Sequence, residues 1–326
     1  MSVDLLEREI GSEFRLVVAQ SQPITPHLAL QLERYVGGSK GFWLRRDAIY
    51  QDAISEMAPE SEKEWVKSQP YNDMAKFGWI PVARSVAEKA SHLFDFFNCD
   101  NVKDWYRIYE PTLSKVAFRT TFTFENDDAA TVAWLRQGDI VAENIPCGPF
   151  DPKKLRENLD AIRRECRRSS VENFLPNIRS ILASAGVRFV VVRAPSGCRA
   201  SGATRINLDG SATLQLSFRY LSDDHFWFTL FHEIGHLILH SDRSFFLEGD
   251  FVDSDEIERE ANAFASEILI PTERRSDLEV VSIRRDAIIR LAFRLGISPG
   301  ILVGQMQHFG LMERSRMNYL KRRYKW

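Results

Sequence analysis

Paired cysteines are missing from this chain of 326 residues. Its four cysteines, Cys99, Cys147, Cys166 and Cys198, are scattered, and no two of them have C-x-x-C spacing. Secreted domains that depend on disulfides carry their cysteines at a higher density and in a regular pattern. The cysteine content therefore argues against a disulfide framework and indicates a reduced, cytoplasmic compartment.

Long apolar runs and a surplus of charge of one sign are also lacking. No apolar run approaches the roughly 18 residues that cross a bilayer. The first residues, MSVDLLEREIGSEF, carry charges where a signal peptide needs its apolar segment. The formal net charge of −2 excludes a coat of positive charge for nucleic acid. These absences predict a soluble protein without membrane contact, in which any contact with DNA is local.

The composition is that of a globular chain with room for several domains. It is 44% hydrophobic and 27% charged, and 326 residues suffice for two or three domains. One local basic patch is the C-terminal tail, RSRMNYLKRRYKW, which is either a solvated helix end or a phosphate-binding arm. Four sections are predicted: a helical domain at 1–55, a helical middle region at 56–180, a core of strands and helices at 181–275, and a helical pair with the basic tail at 276–326.

The pattern of secondary structure changes near residue 181 and predicts an α+β fold. Before it the chain is helix-rich, apart from KVAFRTT and TFTFEN, which look extended. After it, VRFVVVRA is typical of a buried strand, and GATRINL and ATLQLSFRY alternate around Asp209-Gly210 as a hairpin does. Two helices follow, at about 225–240 and 254–269. Strands followed by helices are therefore expected after residue 181, with a C-terminal helical bundle.

The first of these helices contains FHEIGHLILH, which has the spacing of a metal site. Residues four apart lie on one face of a helix, so His232 and His236 can direct imidazole nitrogens at one ion. Zinc accepts such ligands at about 2 Å. Glu233 lies beside the first ligand and can take a proton from a metal-activated water and return it to a leaving amine. This is the H-E-x-x-H arrangement of metalloproteases.

A catalytic zinc with three protein ligands needs one more residue. The next helix, EIEREANAFASE, offers four carboxylates: Glu256, Glu258, Glu260 and Glu267. Glu258 shares a face with Ala261, Asn262 and Ala265, whose small members would let the two helices pack closely. Glu258 is therefore the natural ligand and Asn262 a candidate partner for a ligating histidine, with the other glutamates solvated. Periodicity alone does not separate Glu258 from its neighbours.

These two motifs resemble those of the ImmA/IrrE family of bacterial metallopeptidases. The family pattern is H-E-x-x-H followed by E-x-x-A-N-x-F-A-x-x-L-L-x-P, and the likeness covers roughly residues 180–310. It implies zinc ligands His232, His236 and Glu258, with Glu233 as general base. It also implies a gluzincin-like core, in which a small sheet lies beside the two metal-binding helices. Family members typically cleave or inactivate a partner repressor.

The N-terminal section resembles part of a HigA-like or XRE-type antitoxin helix-turn-helix domain. The likeness rests on ITPHLALQLERYVGGSKGFWL, a T-P-x-x-A-x-x-L helix followed by G-x-x-x-x-W-L. Thr25 caps that helix and Pro26 opens it, and Leu28, Leu30, Leu32 and Val36 form its apolar stripe. The recognition helix falls at Ser12–Gln20, with Arg15 as its only positive charge and candidate DNA contact. A helical docking module without DNA binding is the alternative.

Four further side chains could lie near the metal. Tyr220 and His225 precede the metal helix and are candidates to stabilise an oxyanion. His240 continues the histidine spacing, but three ligands along one straight helix cannot converge, so a surface or capping role is expected. His308 is expected to be structural.

The function predicted from the sequence is that of a zinc-dependent regulatory metalloendopeptidase acting on one protein partner, a repressor or a toxin–antitoxin component. The main alternative is an antitoxin-like, DNA-binding transcriptional regulator whose zinc domain senses or scaffolds and does not cut. A purely structural zinc domain is the third reading. An edge of the predicted hairpin could receive an extended peptide by strand addition.

Overall fold

A computed structural model of the chain describes residues 10, 14, 24–57, 62–119, 126–240, 245–248 and 256–325. The chain divides into two compact units, unit 1 (Met1–Ala133) and unit 2 (Trp134–Trp326). The division into four sections predicted from the sequence stays a prediction. Arg15 and most of the predicted recognition helix lie outside the described residues.

Unit 1 is helical throughout its described part, and its core is rich in aromatic rings. Trp65 is completely buried, stacks on Phe94 with ring centroids 5.0 Å apart, and meets Trp105 edge-on. Such contacts add stabilisation beyond the burial of apolar area. The helices are α1 (Pro26–Tyr35), α2 (Lys40–Met57), α3 (Glu62–Ser68), α4 (Tyr71–Lys76), α5 (Val86–Phe97), α6 (Val102–Arg119) and α7 (Asn126–Glu143), in which the division falls.

Helix α1 begins as the sequence predicts and buries only part of the predicted apolar stripe. The Thr25 hydroxyl accepts a hydrogen bond from the Leu28 amide at 3.1 Å, so Thr25 is the N-cap. The predicted apolar stripe is partly wrong, because Leu30 is 50% exposed and Val36 is also exposed. Leu28, Ala29 and Leu32 are the buried residues, and they lie on one side of the helix.

Unit 2 holds a four-stranded mixed sheet packed against helices, which agrees with an α+β fold. Its helices after α7 are α8 (Pro152–Glu157), α9 (Leu159–Glu165), α10 (Val171–Ser184), α11 (Asp223–Leu239), α12 (Glu256–Leu269), α13 (Ser276–Val280), α14 (Arg285–Leu295) and α15 (Pro299–His308). Its strands are β1 (Val187–Val191), β2 (Gly202–Ile206), β3 (Ala212–Leu216) and β4 (Phe245–Glu248).

The sheet has the strand order β1-β3-β2-β4. Strands β2 and β3 form the predicted antiparallel hairpin, and β1 pairs with β3 in parallel. The prediction that an edge of the hairpin is open is wrong, because β4 pairs with β2 on one side and β1 pairs with β3 on the other. Among the described strands, only the outer edges of β1 and β4 are open to an added strand.

Helices α11 and α12 pack closely because small residues meet between them. A Cβ on Gly235 would lie 3.1 Å from the Phe264 ring and 3.4 Å from the Ala261 Cα, so glycine sets the separation of the helices. Ala261 and Ala265 are fully buried. The end of α12 is held by the Arg163 guanidinium, which donates to the carbonyls of Ile268 and Leu269 at 2.6 and 3.1 Å. The carboxylate-bearing helix is thus fixed against the histidine-bearing one.

The basic C-terminal tail packs along the start of α11, so its reading as a solvated helix end is wrong. The Tyr324 amide donates to the Leu221 carbonyl at 2.8 Å, and the Tyr324 side chain is buried. Lys321 forms a 2.6 Å ion pair with Asp224. Periodicity could not reveal this docking, because only the short turn Asn318–Leu320 is helical there and the contacts are between residues distant in sequence.

The C-terminal helical pair does not present a second helix to solvent. Helices α14 and α15 are bent by 100° at the break, as in a helix-turn-helix. However, Ile301, Leu302, Val303 and Met306 of α15 are buried. Among the described residues, no single helix is long and apolar enough to cross a membrane, and α14 and α15 reach that length and composition only jointly.

Two extended segments were predicted in the middle region, and the described part of the chain contradicts the first. Helix α6 continues to Arg119, so the first five residues of KVAFRTT are helical. The segment TFTFEN lies outside the described residues except for Asn126, where α7 begins. Short apolar runs do not distinguish a strand from a buried helix.

Asp223 joins three parts of unit 2 at the start of α11. Its carboxylate accepts hydrogen bonds from the Ser298 hydroxyl at 2.6 Å and from the Arg322 amide at 3.0 Å. Burial raises the pKa of Asp223 to about 6, although these hydrogen bonds oppose the shift. A buried carboxylate with a raised pKa favours the folded state most when it is protonated.

The effect of Asp223→Asn on the stability of the fold is therefore expected to be more favourable at neutral than at acidic pH. The folded pKa lies above the unfolded one, so the wild type loses stability as pH rises from about 4 to about 6, and asparagine does not ionise. The change in unfolding free energy caused by the substitution should be more favourable at pH 7 than at pH 4.5, by about 1–3 kcal/mol. Urea unfolding at both pH values measures it. Asp160→Asn, at an exposed carboxyl, is the control, and an equal effect at both pH values would refute the linkage.

Candidate metal centre

The two histidines of H-E-x-x-H lie on one buried face of α11. Asp223 and Asp224 in its first turn favour the start of this helix, because they complement the positive end of the helix dipole. His232 and His236 are each only 1% exposed. Their Nε2 atoms lie 2.9 Å apart, so one turn of helix brings both imidazoles to the same point.

Helix α12 brings a carboxylate to that point. The Glu258 oxygens lie 3.2 Å from His232 Nε2 and 3.5 Å from His236 Nε2, and the Glu258 side chain is 20% exposed. Of the other predicted candidates, Glu256 and Glu260 are exposed on the same helix. Glu267 is not simply solvated, because it accepts hydrogen bonds from the Thr272 amide and hydroxyl at 3.0 and 2.6 Å.

Asn262 orients the first histidine. Its side-chain oxygen lies 3.0 Å from His232 Nδ1. An amide oxygen only accepts hydrogen bonds, so Nδ1 carries the proton and Nε2 keeps its lone pair. This is the tautomer that places a metal-binding nitrogen beside Glu258, and such outer partners hold ligand rings in place.

The protonation states of His236 and Glu258 favour the binding of a cation. Burial lowers the pKa of His236 to about 4, so its imidazole is neutral near pH 7. For Glu258, burial raises the pKa, but the closeness of the His232 and His236 imidazoles outweighs it and holds the pKa below its usual range. A neutral imidazole and an ionised carboxylate are the forms in which these groups bind metal.

The spacing of the three groups fits a tetrahedral ion. Ligands at about 2.0–2.1 Å from a tetrahedral zinc are separated from one another by about 3.3 Å. The observed separations are 2.9, 3.2 and 3.5 Å. His232, His236 and Glu258 form the metal-binding cluster found within the described part of the chain, with one donor atom from each inside 4.8 Å. The residues present therefore fit a metal ion.

Residues 190–304 match the IrrE N-terminal-like domain family, Peptidase_M78. This match confirms the resemblance predicted from the two motifs, over nearly the same residues. It indicates a metallopeptidase of the ImmA/IrrE type, which acts on a protein substrate. The matched residues hold both metal-site helices. No curated protein sequence matches the chain.

Within the matched residues, the Glu233 side chain packs against strand β2 of the sheet. It follows His232 by one residue, which is about 100° around the helix. Its side chain is completely buried. On β2, a Cβ at Gly202 would lie 2.7 Å from the Glu233 Cγ, so only glycine leaves room for this carboxylate. Sequence reasoning missed this contact of Gly202, whose only signal is a glycine at the start of a strand, where a close approach is possible.

Gly202→Ala is expected to displace Glu233 and to lower kcat for peptide cleavage at least tenfold. The added methyl group overlaps the glutamate side chain, and a shift of about 1 Å in a reacting group costs roughly a hundredfold. The content of bound metal should stay unchanged, because the clash does not touch the two histidines or Glu258. Gly148→Ala is the control, since a Cβ there meets nothing within 4 Å. Full activity of Gly202→Ala would contradict this role.

The structure places the remaining candidates around α11. The rings of Tyr220 and His225 are in contact, with centroids 4.3 Å apart and planes tilted by 31°, and His225 lies two turns before His232. Their role as oxyanion donors stays a prediction. His308 is 6.0 Å from the Phe228 ring, which in turn is 6.3 Å from the His232 ring. His240 caps the end of α11 and lies outside the metal-binding cluster, as expected.

Proposed function

We propose that the chain is a zinc-dependent regulatory endopeptidase that cleaves one protein partner, a repressor or a toxin–antitoxin component. The observation that carries the proposal is the convergence of His232, His236 and Glu258, beside which Glu233 is buried on the same helix. Two imidazoles and one carboxylate form a donor set of catalytic zinc sites, which keep a fourth position open.

The three ligands would hold the ion, and the rest of the site would serve the reaction. Zinc bound in this way acts as a Lewis acid that activates water and polarises a peptide carbonyl. Glu233 would take a proton from the attacking water and later give it to the leaving amine. Asn262 would keep the His232 ring oriented through Nδ1. The α11 and α12 pairing then corresponds to the gluzincin-like core that the resemblance implies.

An extended substrate segment has one suitable strand edge near Glu233. Strand β4 pairs with β2, with Glu248 opposite Gly202, and Gly202 lies against Glu233. The outer edge of β4 would therefore receive the substrate by strand addition. With the substrate bound there, the scissile bond would lie on the side of α11 that carries the base.

The proposal is tested by comparing peptide termini in cells that express the wild type with those in cells that express Glu233→Gln. The substitution keeps the size of the side chain and the three ligands but removes the base. If one protein loses its full-length form only with the wild type, the peptidase proposal is supported and the substrate is identified.

Identical terminus profiles under conditions that trigger the system would refute cleavage. The leading alternative would then be an antitoxin-like transcriptional regulator with a scaffolding zinc domain. That reading requires sequence-specific DNA binding by the wild type, with affinity that falls steeply as salt rises. The buried helix α15 offers no recognition surface for it, so DNA contact would rest on the N-terminal section.

A further inference from the structure

A cleft of about 500 Å³ opens along the start of α11. We call it the basic cleft, and its walls include Tyr220, His225, His308, Arg314, Lys321 and Arg323. His225 lies on the same helical face as His232 and His236, at spacings of seven and eleven residues. The Phe228 ring continues this face between His308 and His232. The basic cleft therefore lies toward the N-terminal end of the helical face that carries His232 and His236.

The charge of the basic cleft is positive. Three cationic side chains and one carboxylate, that of Asp224, are among its lining residues. Lys321 forms a 2.6 Å ion pair with Asp224, so its charge is balanced within the cleft. Arg314 and Arg323 are exposed, and Arg323 donates one N–H to the Tyr220 carbonyl at 3.1 Å. The net charge that a ligand meets therefore comes from two guanidinium groups.

The segment that carries these arginines is held in place by hydrogen bonds from α15. The Gln307 amide donates to the carbonyl of Arg316 at 2.9 Å and to the Asn318 side chain at 3.0 Å. Its oxygen accepts from Lys321 Nζ at 2.8 Å. On the opposite wall, a Cβ at Gly304 would lie 2.7 Å from the Asp224 Cβ, so glycine allows α15 to approach α11.

We infer that the basic cleft is a specificity subsite that binds an acidic side chain of the substrate. Guanidinium groups bind carboxylates through paired hydrogen bonds, which favours an Asp or Glu side chain over a neutral one. His225 and His232 are separated by about 10 Å along the helix, which is the length of about three extended residues. The acidic residue therefore lies about three positions from the scissile bond. The position relative to that bond rests on the proposed function; the binding of the acidic side chain does not.

The test measures binding without cleavage. Full-length Glu233→Gln is titrated into fluorescein-labelled tetra-glutamate and, separately, tetra-glutamine, and anisotropy gives the two dissociation constants. Tetra-glutamate is expected to bind about tenfold more tightly. Adding Arg314→Gln and Arg323→Gln should reduce the preference to within twofold, and lysine at both positions should keep part of it. Adding Arg164→Gln instead, at an exposed arginine outside the cleft, should leave it unchanged.

Three results would overturn the inference. The first is equal binding of the two peptides, and the second is a preference for tetra-glutamate that survives the loss of Arg314 and Arg323. The third is tighter binding of a labelled single-stranded oligonucleotide than of tetra-glutamate, with that binding abolished in the same variant, which would assign the cleft to phosphates. Because the binding assay uses a protein without the base, absence of cleavage by the wild type refutes only the proposed function.

Discussion

Glu233→Gln is expected to lower kcat/KM for peptide-bond cleavage by about a hundredfold to ten-thousandfold, the range in which general bases contribute. Glutamine fills the same buried space against Gly202 but cannot accept the proton of the attacking water. The fold and the bound zinc should be unchanged, because His232, His236 and Glu258 are untouched. Cleavage of a mixed peptide library, followed by mass spectrometry, measures the rate, and elemental analysis measures the zinc.

Two results would contradict the assignment of Glu233 as the base. Undiminished cleavage by Glu233→Gln would remove the carboxylate from the reaction. Loss of zinc together with activity would show that Glu233 supports the metal site and not proton transfer. Glu256→Gln, at an exposed position on α12, is the matched control and should retain full activity.

Glu258→Gln is expected to raise the dissociation constant for zinc at least a hundredfold. A neutral amide oxygen is a weak zinc ligand, so the ion would depend on His232 and His236 alone. This loss of zinc affinity exceeds the roughly 10–100-fold loss that is typical when a group that only orients a ligand, such as Asn262, is changed. Competition with a fluorescent chelator measures the affinity.

Glutamine substitutions at the neighbouring glutamates test which of the four candidate carboxylates on α12 binds the metal. Glu256→Gln and Glu260→Gln should bind zinc as the wild type does, since both side chains are exposed. Glu267→Gln should also keep its zinc but weaken the turn at Thr272. A larger loss of zinc in any of these than in Glu258→Gln would contradict the assigned ligand set.

The sequence predicted the metal-site helices well because their signals are local. The spacing of His232 and His236 requires only helical geometry, and the bounds of α11 and α12 follow from Asp223-Asp224 and Pro271. The choice of Glu258 needed the face shared with Ala261, which predicts how two helices pack. The IrrE N-terminal-like match then covers both helices.

What the sequence could not predict depends on which distant segments meet. Nothing in the pattern of β2 and β3 reveals that β4 covers the hairpin edge. The docking of Tyr324 on Leu221 joins residues about a hundred positions apart, and the basic cleft exists only because of it. The exposure of Leu30 shows the same limit: an apolar residue on a helix is buried only where a partner lies against it.

The central claim is that the three-residue cluster holds a zinc ion that the chain uses to cut peptide bonds. The most direct test strips the purified full-length chain with a chelator and titrates zinc back while cleavage of a peptide library is followed. Cleavage should vanish on stripping and return as zinc approaches one equivalent. Glu233→Gln should take up the same zinc and cleave nothing. Cleavage that survives chelation, or a fully loaded wild type that cuts no more than Glu233→Gln, would contradict the account.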